Sequence, residues 1–115
     1  MKLPNHQQLR EFVNMSCLLT SHKFTLNMIT TDEQTMNVLI LAGEELEILI
    51  PPDGQVYYNT TPSDDQTAKW QLKNYVLRHR EDINEIHKLC EVIKSDAKPL
   101  DAHDFIEILH RQSQS

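Results

Sequence analysis

The sequence predicts an α+β fold in which one helix precedes a small antiparallel sheet and further helices follow it. Three observations lead to this prediction. Apolar residues recur with a helical period near the N-terminus, with a strand period in the middle of the chain, and with a helical period again from residue 63 onward. The chain of 115 residues has the usual size of one domain, so we treat residues 1–115 as a single domain.

The first helix is predicted from a capping signal and an apolar stripe. Asn5 and Gln8 have the spacing of a capping box, in which each side chain binds the backbone N–H of the other residue. The stripe that follows at helical spacing, which we expect to face the core, consists of Leu9, Phe12, Val13 and Cys17. The helix is expected to end near Leu19.

The middle of the chain predicts an antiparallel meander of three to four strands. Phe24, Leu26 and Met28 alternate with polar residues, which is typical of a half-buried strand. Residues 36–42 are almost continuously apolar, as in a strand at a sheet centre. The next strand, which ends at the turn of residues 51–54, alternates so that Glu45 and Glu47 are expected on its exposed face. Residues 56–59 can add a short fourth strand.

Helices follow from the capping box of Ser63 and Gln66 onward. One apolar stripe then continues at helical spacing through Ala68, Leu72, Tyr75, His79, Ile83, Ile86, Cys90 and Ile93. An unbroken helix over residues 64–94 would span roughly 46 Å, which exceeds the diameter of about 35 Å expected for this domain. We therefore expect a break at residues 79–82 with Asp82 as the next cap; a helix that projects toward a partner is the alternative. Asp101 is expected to cap a short final helix.

The negative charge is concentrated in the middle of the sequence. The net charge is −6, and no Lys or Arg occurs between Lys23 and Lys69. That interval contains eight acidic residues: Asp32, Glu33, Glu44, Glu45, Glu47, Asp53, Asp64 and Asp65. Such a surface repels nucleic-acid phosphates and attracts cationic surfaces, so we expect a protein partner with a basic surface and no direct binding of nucleic acid.

No residue pattern indicates catalysis, a cofactor or a metal. With only two glycines, the chain cannot form a glycine-rich phosphate loop. His87, Cys90 and Glu91 lie within one helical turn, but a zinc site needs a further ligand from elsewhere. We therefore expect no catalytic residue, no cofactor and no metal, and hence a protein that is not an enzyme. Cys17 and Cys90 are expected to be buried thiols without a disulfide.

The aromatic residues complete the predicted partner-binding surface. Tyr57 and Tyr58 are consecutive, so one of them should point away from the core of a half-buried strand. Trp70 lies off the main apolar stripe, and exposed Trp and Tyr are typical anchors of protein interfaces. The predicted partner-binding residues are Asp32, Glu33, Glu44, Glu45, Glu47, Asp53, Tyr57, Asp64, Asp65 and Trp70.

The chain is expected to be cytoplasmic and to lack a membrane segment. Its longest apolar run, residues 38–42, is far shorter than the ~20 residues needed to cross a bilayer. The first ten residues are polar and lack the apolar stretch of a secretory signal.

These features favour a small regulator that binds another protein. In size, acidity and lack of a catalytic motif, the chain resembles the inhibitors of host defence made by phages and mobile elements, including anti-CRISPR proteins. That resemblance implies an inhibitor that occupies a basic surface of its partner, such as one that binds nucleic acid.

Two alternatives stay open. The order of a helix, three strands and then helices, together with the low pI, resembles the chaperones of type III secretion and suggests a chaperone or immunity-type partner. The chain departs from that pattern after Ser63, where two more strands would be needed. A DNA-binding regulator would instead use Lys69, Lys73, Arg78 and Arg80, of which Lys69, Lys73 and Arg80 approximate one helix face. A homodimer is compatible with all of these readings.

Overall fold

The chain forms a five-stranded antiparallel sheet with helices packed on both of its faces. The computed structural model describes residues 3–43, 46–60 and 67–113. In chain order, the elements are α1 (His6–Ser21), β1 (Leu26–Thr31), β2 (Val38–Ala42), β3 (Leu46–Ile50), β4 (Tyr57–Thr60), α2 (Thr67–Arg78), α3 (Ile83–Asp96), β5 (Lys98–Pro99) and α4 (Ala102–Ser113). The predicted α+β class, with a first helix, a meander and C-terminal helices, is confirmed.

The strands lie side by side in the order in which they occur along the chain. β1 to β4 form the predicted meander, in which every pair is antiparallel. A fifth strand, which the sequence did not predict, joins the sheet after α2 and α3. It has two residues and pairs with Tyr57 and Tyr58 of β4. Pro99 lacks a backbone N–H, which suits it to an edge strand.

Two separate cores exist because both faces of the sheet are covered. All residues of β2 and β3 are buried, and their side chains alternate between the two faces. On one face, Ile40 and Ile48 pack with Met15 and Leu19 of α1 and with Phe105 and Leu109 of α4. On the other face, Leu39, Leu41 and Leu49 pack with Val76 of α2 and with Ile86, Leu89, Cys90 and Ile93 of α3.

The predicted capping box at the start of α1 is present. The side-chain oxygen of Asn5 accepts a hydrogen bond from the Gln8 backbone N–H at 2.9 Å, and the Gln8 side chain accepts one from the Asn5 N–H at 3.1 Å. The Gln8 amide is itself buried, and its Nε2 donates to the carbonyl oxygens of Met36 at 2.6 Å and Ile50 at 2.8 Å. Gln8 therefore starts the helix and also joins it to the start of β2 and the end of β3, which are neighbours at one end of the sheet.

Of the four residues of α1 predicted to face the core, Phe12 packs against it and the other three do not. The buried residues of α1 are Gln8, Met15 and Leu19, whereas Leu9 and Val13 are 43% and 55% exposed. Cys17 is exposed as well. The helix carries two apolar stripes, and the stripe with the larger Met15 and Leu19 side chains is the one that covers the sheet. The polar contacts of Gln8 fix the same orientation.

A β-bulge changes the predicted alternation of β1. Leu26 pairs with Ala42 and Met28 with Leu41, so Asn27 is an extra residue in the ladder. As a result, Leu26 packs in the core under α1 and Met28 in the core under α3, although the sequence had predicted one shared face. The Asn27 side chain donates to the Gly43 carbonyl at 2.6 Å, which holds the bulge next to the following turn.

The break in the long helical segment is confirmed. α2 ends at Arg78, α3 begins at Ile83, and the Asp82 side chain accepts a hydrogen bond from the Glu85 backbone N–H at 3.2 Å. The predicted stripe holds for Ile86, Cys90 and Ile93 of α3, which are buried, but not for Ile83, which is 45% exposed. In α2 it holds for Leu72, which packs against the core, and is wrong for Tyr75, which is exposed while Lys69, Lys73 and Val76 face the sheet.

Of the two remaining helix caps predicted from the sequence, one is present in the structure and the other lies outside the described residues. The Asp101 side chain accepts from the His103 backbone N–H at 2.9 Å at the start of α4, as expected of a cap. The capping box of Ser63 and Gln66 lies outside the described residues. Within residues 3–43, 46–60 and 67–113, none of the helices has the length and apolar character required to cross a bilayer.

Candidate functional site

Glu47 does not lie on the exposed face that the sequence predicted. Its side chain is fully buried on the α2 side of β3. The Glu47 carboxylate contacts the Lys69 ammonium group at 2.6 Å and the Lys73 ammonium group at 3.7 Å. Because the sheet is covered on both faces, the alternate positions of β3 are buried too, and a charge there requires charged partners.

Asp32 is also buried, at the turn between β1 and β2. One of its oxygens accepts from the Gln34 backbone N–H at 3.1 Å, and the other accepts from the Thr35 hydroxyl at 2.9 Å. The second oxygen lies 2.8 Å from Nδ1 of His87 on α3. Asp32 and Glu47 therefore act inside the fold, and neither can present its charge to a partner.

The other acidic residues predicted to bind the partner fall into two groups, those that reach the surface and those that lie outside the described residues. Glu33 is half-buried and Asp53 is exposed, so both reach the surface. The predicted residues Glu44, Glu45, Asp64 and Asp65 lie outside the described residues. Within the described part of the chain, the predicted acidic surface is thus reduced to Glu33 and Asp53.

The cationic helix face considered for DNA binding is largely internal. Lys69 and Lys73 are buried against Glu47, so their charges are not available to phosphate groups. Arg80 is exposed, and its guanidinium group donates to the carbonyl oxygens of Leu77 and Asn27.

The two tyrosines lie on opposite faces of β4, and each packs against the core on its own side of the sheet. Tyr57 packs against the core under α2 and α3, and Tyr58 packs against the other core, with its ring 5.8 Å from that of Phe105. The expectation that one tyrosine points away from the core is wrong because the sheet has no bare face. Trp70 is 52% exposed, as predicted.

The outer face of α1 carries a row of exposed apolar side chains. We define it by Leu9, Val13 and Cys17, which follow one another at intervals of four residues and are all exposed. Side chains at this spacing are neighbours on a helix. From the sequence, this stripe is predicted to face the core. The second apolar stripe of α1 is the signal that could have corrected this prediction.

The two cysteines differ in environment, and the expectation that both are buried is wrong for Cys17. Cys17 is a free thiol on the outer face of α1, whereas Cys90 is a free thiol on the buried face of α3. Burial, together with the nearby carboxylates of Asp32 and Glu91, raises the pKa of Cys90 from 9.0 to about 12. Cys90 is therefore a protonated core residue at neutral pH.

A cluster of potential metal ligands joins α3 to the β1–β2 turn. Asp32, His87 and Glu91 each offer one ligand atom, and these atoms all lie within 4.8 Å of one another. His87 and Glu91 are one helical turn apart, which the sequence showed. Asp32 is 55 residues from His87, and no local signal in the sequence could have placed it there.

A cleft of about 320 Å³ lies between the start of β2, the start of β4 and the end of α3, and none of the three cluster residues lines it. Its lining includes Asn37, Asp53, Tyr57 and Lys94. The Asn37 carbonyl accepts from the Asp32 backbone N–H at 2.8 Å, and Lys94 lies one turn beyond Glu91 on α3. Two of the predicted partner-binding residues, Asp53 and Tyr57, are therefore brought together in one cleft.

Comparison with known proteins gives one match. Residues 3–57 match the model of a family described as a domain of unknown function, DUF6888, which covers a little under half of the chain. The matched segment contains α1 and β1 to β3, and it ends at the first residue of β4. No curated protein and no solved structure shows significant similarity to the chain.

Proposed function

We propose that this protein is a cytoplasmic regulator that binds another protein through the outer face of α1. The observation that carries the proposal is the exposed row of Leu9, Val13 and Cys17 on a helix whose other side covers the sheet. Isolated apolar residues are common on protein surfaces, but a continuous apolar row is typical of an interaction site. The segment that resembles the DUF6888 family includes the whole of α1.

The charge of the protein favours a basic partner. The net charge is −6, and the buried group of Asp32, Glu47, Lys69 and Lys73 contributes no net charge to it. The same negative charge therefore remains on the rest of the molecule, although two of the acidic residues are internal. Such a charge accelerates association with a cationic protein surface.

The class of regulator that fits these features is an inhibitor that occupies a basic surface, as anti-CRISPR proteins do. In this proposal, the outer face of α1 supplies apolar contacts and Glu33 and Asp53 supply charged contacts, whereas Trp70 lies on α2, across the sheet from α1, and takes no part. A partner of the proposed kind has an apolar groove bordered by Lys or Arg side chains.

The proposal is tested by measuring the affinity of variants for a partner captured from cells that carry the gene. Val13→Asp should weaken binding by roughly 100-fold or more, because a central apolar contact of an interface is replaced by a charge that must be desolvated. Its melting temperature should stay unchanged, since Val13 is more than half exposed.

Val92→Asp is the matched control, because Val92 is 38% exposed on α3, which covers the opposite face of the sheet from α1. Its affinity should remain within about threefold of the wild type, as expected outside the central contacts of an interface. Equal losses in the two variants, or a Val13→Asp variant that binds normally, would contradict the proposal. If sedimentation shows that Val13→Asp only dissociates a homodimer, the surface binds a second copy and the basic partner is excluded.

A further inference from the structure

One imidazole and two carboxylates lie close together where the β1–β2 turn meets α3. The ligand atoms of Asp32, His87 and Glu91 lie within 4.8 Å of one another. Zinc bonds of about 2.1 Å to tetrahedral ligands place those ligands about 3.4 Å apart, so small side-chain movements suffice to close the site. His87 and Glu91 lie on one face of α3, at a spacing of four residues that lets both contact a single ion.

The three residues differ in their exposure to solvent, from fully buried to exposed. Asp32 is fully buried, and the Gln34 N–H and the Thr35 hydroxyl hold its two oxygens in place. Such hydrogen bonds orient a carboxylate ligand in the same way as the outer contacts of known metal sites. His87 is partly exposed and Glu91 is exposed, so an ion can enter from solvent and keep a bound water.

From this geometry we propose that Asp32, His87 and Glu91 bind a divalent transition-metal ion, with Zn²⁺ as the representative of the class. One imidazole and two carboxylates form a mixed nitrogen and oxygen set that suits Zn²⁺, whereas Mg²⁺ and Ca²⁺ prefer oxygen ligands alone. From the sequence, we expected no metal because His87 and Glu91 lacked a ligand from elsewhere in the chain. In the structure, Asp32 lies close enough to supply that ligand.

Metal binding would join two parts of the fold that are distant in sequence. Asp32 belongs to the segment that resembles DUF6888, and His87 and Glu91 lie outside it. A hydrogen bond of 2.8 Å between Asp32 and His87 makes this connection in the structure. A bound ion would hold the same residues together and stabilise the folded state, because the unfolded chain does not hold these ligands together.

The test is a Zn²⁺ titration of protein that was purified without a histidine tag and freed of metal by a chelator. We expect one Zn²⁺ per chain in competition with a chromophoric chelator, and a melting temperature that rises with Zn²⁺. His87→Gln and Glu91→Gln should each weaken Zn²⁺ binding at least about tenfold, since even losses in the outer contacts of metal sites cost that much. Co²⁺ should give visible absorption bands in the wild type that Glu91→Gln weakens.

The controls are His103→Gln and Glu85→Gln, which remove the same chemical groups at other exposed or partly exposed positions. Both should bind Zn²⁺ as the wild type does. Glu91 is exposed, so Glu91→Gln tests the site even if His87→Gln is unstable. The absence of stoichiometric Zn²⁺ binding, or equal affinity in Glu91→Gln and Glu85→Gln, would overturn the proposal. The outcome does not depend on the function proposed for α1.

Discussion

Glu47 lies in β3, one of the two strands whose residues are all buried, and its carboxylate contacts two lysines of α2. The other buried carboxylate, Asp32, forms a hydrogen bond of 2.8 Å with Nδ1 of His87 on α3. At the scale of single residues, each of these buried carboxylates is therefore matched by a side chain from a distant helix. The match is needed because an unpaired buried charge costs several kcal/mol.

Replacing Lys69 by Met should therefore destabilise the protein far more than a change at an exposed ion pair. We expect Lys69→Met to lower the free energy of unfolding by roughly 2 to 4 kcal/mol, since the buried Glu47 carboxylate would lose its 2.6 Å contact and the Lys73 ammonium group is more distant, at 3.7 Å. Lys88→Met is the control, because Lys88 pairs with Glu85 on the surface and should change that free energy by less than about 1 kcal/mol. Urea unfolding measures both, and equal effects would contradict the assigned role of Glu47.

The buried thiol of Cys90 predicts a pH dependence. Its pKa is raised by burial first, and then by Asp32 and Glu91, from 9.0 to about 12. Because the folded state favours the neutral thiol, the stabilisation is complete below pH 9 and is lost as the pH rises toward 12. Cys90→Ala should reduce the alkaline loss of stability by up to about 1.4 kcal/mol per pH unit, whereas Cys17→Ser should not. Urea unfolding under reducing conditions at several pH values gives the slopes, and identical slopes for both variants would refute the assignment.

At the scale of elements, the helix boundaries follow from local signals that the sequence contains. The capping box of Asn5 and Gln8 and the Asp82 cap are both present in the structure. The faces of the helices are less predictable, because they depend on which partner each helix meets. α1 offers two apolar stripes, and α2 buries lysines because Glu47 lies beneath it.

Gln8 joins α1 to the sheet, so its replacement should affect more than the helix end. Gln8→Ala removes the donor for the Met36 and Ile50 carbonyls and half of the capping box. We expect a loss of roughly 2 to 4 kcal/mol in the free energy of unfolding. Asn14→Ala, at an exposed position of the same helix, should change it by less than about 0.5 kcal/mol. A small effect of Gln8→Ala in chemical denaturation would contradict the joining role.

The candidate sites were predictable only where their residues are close in the sequence. The proximity of His87 and Glu91 follows from helical spacing alone. The contact of Asp32 with His87 does not, since it joins positions 55 residues apart. The covering of the second sheet face was also missed, because the alternation of β3 has the same pattern whether its charged side meets water or the lysines of a helix.

At the scale of the whole molecule, the sheet with helices on both faces decides which predicted residues can meet a partner. It buries Asp32 and Glu47 and leaves Leu9, Val13 and Cys17 exposed. The net charge of −6 persists, since the buried acids and lysines compensate each other. An acidic protein with one apolar helix face fits a role in binding a basic partner.

The exposed thiol of Cys17 can be used as a chemical probe of the outer face of α1. Cys17 is exposed there, while Cys90 is buried and protonated, so a maleimide should modify only Cys17 in the folded protein. The most direct test is the rate of Cys17 alkylation with and without a saturating amount of the captured partner. We predict that the partner slows alkylation at least about tenfold, because the centre of an interface excludes solvent. An unchanged rate while the partner stays bound would show that binding occurs elsewhere and would contradict the proposed function.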